Sequence, residues 1–176
     1  THFMSRKTLL AICDSRRQLE NALQDAGFTR AKESNEHATN LRVIRAVLCA
    51  ALYPNIVRID PPDALYREVA AGAVAQEHKA RELILRAKSG ERVFLHPESV
   101  NFDVGDYDSR WLAYFSKVRT SRIFIRDTTM VSPLGILLFG GGIEVRHTME
   151  QLVVDDWAVF KSPARVAVLV RELRRN

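Results

Sequence analysis

The stretch Arg122-Ile123-Phe124-Ile125-Arg126 alternates in polarity at every step. On a strand, that alternation puts Arg122, Phe124 and Arg126 on one face and turns Ile123 and Ile125 to the other. An aromatic ring between two guanidiniums suits a single-stranded nucleic acid, giving a base something to stack on and phosphates something to pair with. The same residues serve equally if Phe124 packs against its neighbours and the arginine stems cover it. Lys117, Arg119 and Thr120 come just before, where the preceding strand pattern ends. The two cations can neutralise phosphates, and the hydroxyl can fix position. His96 carries a ring that stacks on a base or donates a hydrogen bond. It reads as well as a loop histidine held by nearby backbone.

Other chemistries find no support. Gly140-Gly141-Gly142 lacks the following Lys-Ser/Thr of a phosphate loop, and no acidic box for magnesium occurs. The triple glycine reads as a turn and flexible break. Asp103, Asp106 and Asp108 cluster near Gly105. They lack the ligand spacing and closing glutamate of a calcium loop, so a solvated acidic loop is expected. No histidine pair has metal spacing, and Cys13 and Cys49 form no zinc or redox motif. Both cysteines fall on apolar sides of helical patterns and are expected to be buried, reduced thiols, which points to a reducing intracellular compartment. No catalytic residue, metal site or cofactor site is expected here.

The 176 residues are 47% hydrophobic and 27% charged, with 26 Lys and Arg against 21 Asp and Glu. That is enough apolar material for a core, and the net charge of +5 favours a polyanionic partner. No run is long and apolar enough to span a membrane. The start, Thr1-His2-Phe3-Met4, carries no signal-peptide pattern and reads as though cut from something longer.

The elements that must position these residues can be read from periodicity. Leu9, Ile12, Arg16, Leu19 and Leu23 mark one helix face, with Ser5 as N-cap and Gly27 just past the end. Residues 31–39 read as a loop. Leu41, Ile44, Leu48 and Leu52, flanked by Val43 and Val47, mark a second helix that Pro54 stops. Ile56 to Ile59 is strand-like. Pro61-Pro62 breaks it, and the alanine-rich residues from Asp63 to His78 read as an insertion, a loose helix. Residues 82–86 and 92–95 flank Ser89-Gly90 as a hairpin. Residues 111–118 and 122–126 are two more strands. Ser132-Pro133 opens a short helix through Leu138. Residues 144–146 and 153–160 supply late strands. Ser162 as N-cap and Pro163 at N1 start a last helix, with Val166, Leu169, Val170 and Leu173 on one face. Trp111 and Trp157 read as core, and Arg171, Arg174 and Arg175 suit the dipole at that helix's end. Short strands around a small helix fit a five-stranded Greek-key barrel, and a general α+β domain fits the same count.

A series of blocks carries a resemblance. These are Leu48-Cys49-Ala50-Ala51-Leu52-Tyr53-Pro54-Asn55-Ile56, Val93-Phe94-Leu95-His96-Pro97-Glu98-Ser99-Val100-Asn101 and Lys117-Val118-Arg119-Thr120-Ser121-Arg122, then Val131 to Leu134 with Leu138 to Gly141, and finally Ser162 to Arg165 with Leu169 to Arg174. In this order they resemble the C-terminal region of the DEAH/RHA family of RNA helicases, and Ser5 to Phe28 resembles the helix before it. The segment from Asp63 to His78 is longer than the family's.

The resemblance implies an α+β architecture: an OB-fold barrel of five strands over residues 54–176, preceded by a small helical piece over residues 1–53 and closed by a C-terminal helix. It implies a module without catalysis of its own, in a parent whose motor binds ATP and magnesium. Its expected partners are single-stranded RNA, the motor and helical domains of the same chain, and a protein cofactor such as a glycine-rich patch activator; docking of such a protein is the rival role. Carried onto this sequence, the RNA path takes in His96, Ser99, Lys117, Arg119, Thr120 and Arg122, to which the strand face adds Phe124 and Arg126. No motif selects the compartment; a mitochondrial RNA-editing helicase is one member that the resemblance suggests.

Overall fold

The computed structural model describes residues 4–28, 35–60, 66–69, 72–75 and 82–174. Its contacts divide the chain into two compact units, Thr1–Asn40 and Leu41–Asn176. The change from helix to strand comes after residue 53, but the second helix packs with the elements C-terminal to it.

In the first unit, α1 (Arg6–Asp25) begins where the Ser5 hydroxyl accepts the Thr8 N–H at 3.3 Å. It ends as Gly27 takes φ +86° and the Phe28 N–H returns to the Leu23 carbonyl at 2.9 Å. A left-handed residue there satisfies carbonyls that the helix leaves open. No residue of α1 is buried, so Cys13 is exposed rather than buried as expected.

In the second unit, α2 (Leu41–Leu52) leads into β1 (Ile56–Asp60). Strands β4 (Ile84–Ala87), β5 (Arg92–Leu95), β6 (Trp111–Arg119) and β7 (Ile123–Met130) join β1 in a closed barrel of order β1-β4-β5-β7-β6. All neighbours are antiparallel except β5 and β7, which run parallel. The β4–β5 hairpin turns through Gly90 at φ +81°, as glycine allows without steric cost. Val57, Ile59, Leu85, Val93, Leu112 and Ile125 fill the interior.

Part of the insertion corrects the expectation of a helix: β2 (Tyr66–Val69) pairs antiparallel with β3 (Gly72–Ala75). Tyrosine and valine suit a pleated pair, and Gly72 weakens any helix through it. Pro61-Pro62 and the other residues of the insertion lie outside the described ones.

A second apolar layer forms outside the barrel. It gathers Cys49, Ile56, Trp111, Ala113, Ile136, Leu152, Val154 and Ala167. The Trp111 and Trp157 rings meet edge to face at 5.3 Å, so both tryptophans pack as expected. α3 (Pro133–Phe139) is capped by Ser132, whose hydroxyl accepts the Gly135 N–H at 3.2 Å. Gly135 faces α2, where a Cβ would stand 3.4 Å from Cys49 Sγ, in ordinary contact. Burial in this contact pushes the Cys49 thiol up to about 11, which keeps it protonated and inert.

β8 (Ile143–Arg146), β9 (Gln151–Val154) and β10 (Ala158–Lys161) form a separate three-stranded sheet. The single strand expected over 153–160 is therefore a hairpin, turned by Asp155 and Asp156 at φ 49° and 63°. Aspartate tolerates that left-handed region better than most residues.

α4 (Ala164–Leu173) closes the unit. Ser162 does not cap it: the N-cap is Pro163, and Ser162 is held by its own N–H to the Glu150 carbonyl at 2.8 Å. The buried face of α4 is Ala167 and Val170, while Val166, Leu169 and Leu173 are exposed. Likewise α2 buries Cys49 and leaves Leu41, Val43, Val47 and Leu48 exposed. Arg174 stands at the end of α4, as the dipole argument expected, and its guanidinium donates to the Gly140 carbonyl at 2.6 Å and to that of Gly141. Arg175 lies outside the described residues.

Candidate nucleic-acid interface

The parallel pairing of β5 and β7 decides the site. Its register sets Phe94 beside Phe124 and Leu95 beside Ile125, and the His96 N–H extends the ladder to the Ile125 carbonyl at 3.0 Å. Two stretches of matching alternation therefore lie side by side: Arg92-Val93-Phe94-Leu95-His96 and Arg122-Ile123-Phe124-Ile125-Arg126. Val93, Leu95 and Ile125 are buried in the barrel, and Ile123 packs against the same cluster. The outward residues form a ledge of two arginines, two phenylalanines, then a histidine and an arginine.

Along that ledge the groups touch. The Phe94 and Phe124 rings lie 6.3 Å apart at 51°, and His96 meets Phe124 edge-on at 5.8 Å. The guanidiniums of Arg92 and Arg122 sit 5.0 and 4.9 Å from the Phe94 centroid. Such contacts are worth roughly 0.5–1 kcal/mol at exposed sites and hold the cations in place. Arg126 Nη2 lies 2.6 Å from His96 Nε2. Phe124 is half-buried between Phe94 and His96, and the arginines cover Phe94 rather than Phe124.

Lys117 and Arg119, on β6, converge on Glu91 in the β4–β5 turn. Arg119 Nη2 is 2.7 Å from Glu91 Oε1 and Lys117 Nζ is 3.4 Å from Oε2. The Ser89 hydroxyl donates to the same Oε2 at 3.1 Å. Ser89 and Arg119 hold the Glu91 carboxyl below the usual carboxylate range.

Of the residues singled out in the sequence, His96, Arg122, Phe124 and Arg126 are thus brought together. Lys117 and Arg119 pair with Ile125 and Ile123 and so lie on the other face of the sheet, where they meet Glu91. Ser99 and Thr120 shape turns instead: the Ser99 hydroxyl accepts the Asn101 N–H at 3.3 Å, and the Thr120 N–H reaches the Arg122 carbonyl at 2.8 Å. Arg92, Phe94, Ser89 and Glu91 were missed. The matching alternation of residues 92–96 and 122–126 was the available signal for the first two. Among the described residues no group of three or more metal-ligating side chains could hold an ion, and no helix is long and apolar enough to cross a membrane.

One further surface bears on function. α2 and α3 flank an apolar groove of about 490 Å³, lined by Val43, Ala46, Met130, Leu134 and Leu138 among others.

A closed barrel in which the first strand pairs with the second and fourth, and the third runs parallel to the fifth, defines an OB-fold domain. The chain belongs to the oligonucleotide/oligosaccharide-binding (OB)-fold family, whose model matches residues 44–143. It is 37% identical over 182 residues to the ATP-dependent DNA/RNA helicase DHX36 of Homo sapiens, covering 99% of this chain and 17% of that protein. It is 36% identical over 200 residues to the putative ATP-dependent RNA helicase DHX57 of Homo sapiens, covering 98% of this chain and 14% of that one. It is 36% identical over 183 residues to the ATP-dependent RNA helicase dhx29 of Xenopus laevis, with 98% and 12% covered. The resemblance to a region of the DEAH/RHA helicases therefore holds, and the chain spans less than a fifth of these relatives.

Proposed function

We infer that this domain is a non-catalytic C-terminal module of an ATP-dependent RNA helicase that grips single-stranded RNA on the β5–β7 ledge and so assists the motor. One observation carries the reading: the in-register pairing of Phe94 with Phe124, flanked by Arg92, Arg122 and Arg126. A ledge of rings and cations offers stacking and charge without base-edge readout, so binding shows little sequence preference. ATP and magnesium belong to the motor of the parent protein, which completes the RNA path. The reduced, inert Cys49 is consistent with an intracellular protein.

The test is titration of the 176-residue chain with a uridine homopolymer across a range of salt. With about three phosphates neutralised, the log–log slope is expected near −2. A slope near zero contradicts the reading.

The α2–α3 groove supports a second role, docking of a protein activator. A partner of that kind stays bound in high salt without RNA, because apolar burial is not screened.

A further inference from the structure

The β6–β7 register carries the outward face one strand further. It sets Val118 opposite Phe124 and Ser116 opposite Arg126. Residues paired across neighbouring strands point to the same side of a sheet, so both face outward with the ledge. Phe94 is already opposite Phe124 on β5, so three apolar side chains stand in one row across three strands: Phe94, Phe124 and Val118. Arg92 and Arg122 stand on one side of that row, and His96, Arg126 and Ser116 on the other. Val118 is 41% exposed, so its apolar surface is open to a ligand.

We propose that Val118 is a third base seat: an RNA strand crosses β5, β7 and β6 along this row and lays successive bases on Phe94, Phe124 and Val118. The proposal rests on the RNA-binding reading and adds the direction and length of the path. A strand that follows the row keeps its bases on apolar side chains and its phosphates within reach of arginines on both sides. A strand running along β7 instead meets one ring between two cations, Arg122, Phe124 and Arg126, and stacks a single base. Neighbouring strands lie about 4.8 Å apart, so the row spans about 10 Å from β5 to β6. Valine offers apolar contact but no π-face, which makes this the weakest of the three seats. Supplying a ring there therefore tightens binding.

The test compares wild type, Val118→Trp and Val118→Ser, using a fluorescein-labelled uridine homopolymer of about 12 nucleotides, within the roughly 4–16 an OB-fold covers. Val159→Trp is the control for general stickiness: Val159 is 45% exposed, but on β10 in the separate three-stranded sheet. Val118→Trp is expected to bind about fivefold tighter or more, the lower end of what a base stacked on an aromatic contributes. Val118→Ser is expected to bind about threefold weaker, and Val159→Trp as wild type. The salt slope stays within about 0.3 of wild type in all of them, because no phosphate contact worth about 0.7 is gained or lost. Melting curves check that each variant is folded, and Val118→Tyr replaces Val118→Trp if that one is not. The third seat is wrong if Val118→Trp binds no tighter than Val159→Trp, if Val118→Ser binds as wild type, or if the slope moves by about 0.7. In those cases the ledge still stands, provided that replacing Arg92, Arg122 and Arg126 together by alanine weakens binding. If wild type does not bind, or that triple variant binds as wild type, the RNA-binding reading falls as well.

Discussion

Replacing Arg92, Arg122 and Arg126 together by alanine is expected to weaken single-stranded RNA binding about a hundredfold at 0.1 M salt. The size comes from charge release. Each phosphate neutralised on a single strand contributes about −0.7 to the log–log slope, so losing three flattens it by about 2. Over the decade between 1 M and 0.1 M that difference is about two powers of ten. The fold should survive, because all three side chains are exposed and none supports the core. Two cation–π contacts with Phe94 disappear, costing about 1–2 kcal/mol together. Urea unfolding of the triple variant separates that cost from the binding loss. A folded variant with wild-type affinity would remove the ledge from the account.

The second large effect concerns the triple glycine. The Asp155 carboxylate accepts the Tyr53 hydroxyl, the Gly142 N–H at 2.7 Å and the Lys88 ammonium at 3.1 Å. A Cβ on Gly141 would overlap that carboxylate, whereas one on Gly142 would stand 3.8 Å away. Gly141→Ala must push the Asp155 carboxylate aside and break a partly buried charged network. The expected cost is about 1–3 kcal/mol, against about 0.5 kcal/mol or less for Gly142→Ala, measured by urea unfolding.

The same network sets a pH signature. The Tyr53 hydrogen bond, helped by Lys88 and the Gly142 N–H, holds the Asp155 carboxyl below its usual range. Its contribution is whole above the ordinary carboxylate value, about 3.9, and is lost as pH falls through the depressed native value. Burial and Asp155 push the Tyr53 phenol up to about 12. Its contribution is whole below the ordinary phenol value, about 10, and is lost as pH rises through the native value. Asp155→Asn should flatten the acid limb of the stability profile.

Much of this architecture was legible in the residues. The barrel strands could be read from short β-branched and apolar runs between turn residues, and the Ser5, Gly27 and Ser132 boundaries fell where capping chemistry puts them. Helix faces were less legible. α2 and α4 bury Cys49, Ala167 and Val170 while larger residues beside them stay exposed. Periodicity marks an apolar stripe but does not say which edge of it meets a neighbour. A third of the ledge was hidden for a topological reason. Arg92 and Phe94 lie about thirty residues before their partners, and only the parallel β5–β7 pairing brings them together. Parallel neighbours need a long crossover, so local sequence cannot announce them. The Glu91 cluster was missed on the same ground, since Lys117 and Arg119 come from a different hairpin.

The central claim is that RNA lies on β5 and β7. Titrating the isotope-labelled chain with a uridine homopolymer, followed by amide and aromatic chemical shifts, tests it residue by residue. The account predicts shifts concentrated at Arg92, Phe94, His96, Arg122, Phe124 and Arg126. Shifts confined to the α2–α3 groove, at Val43, Ala46, Leu134 and Leu138, with the ledge unmoved, would contradict it.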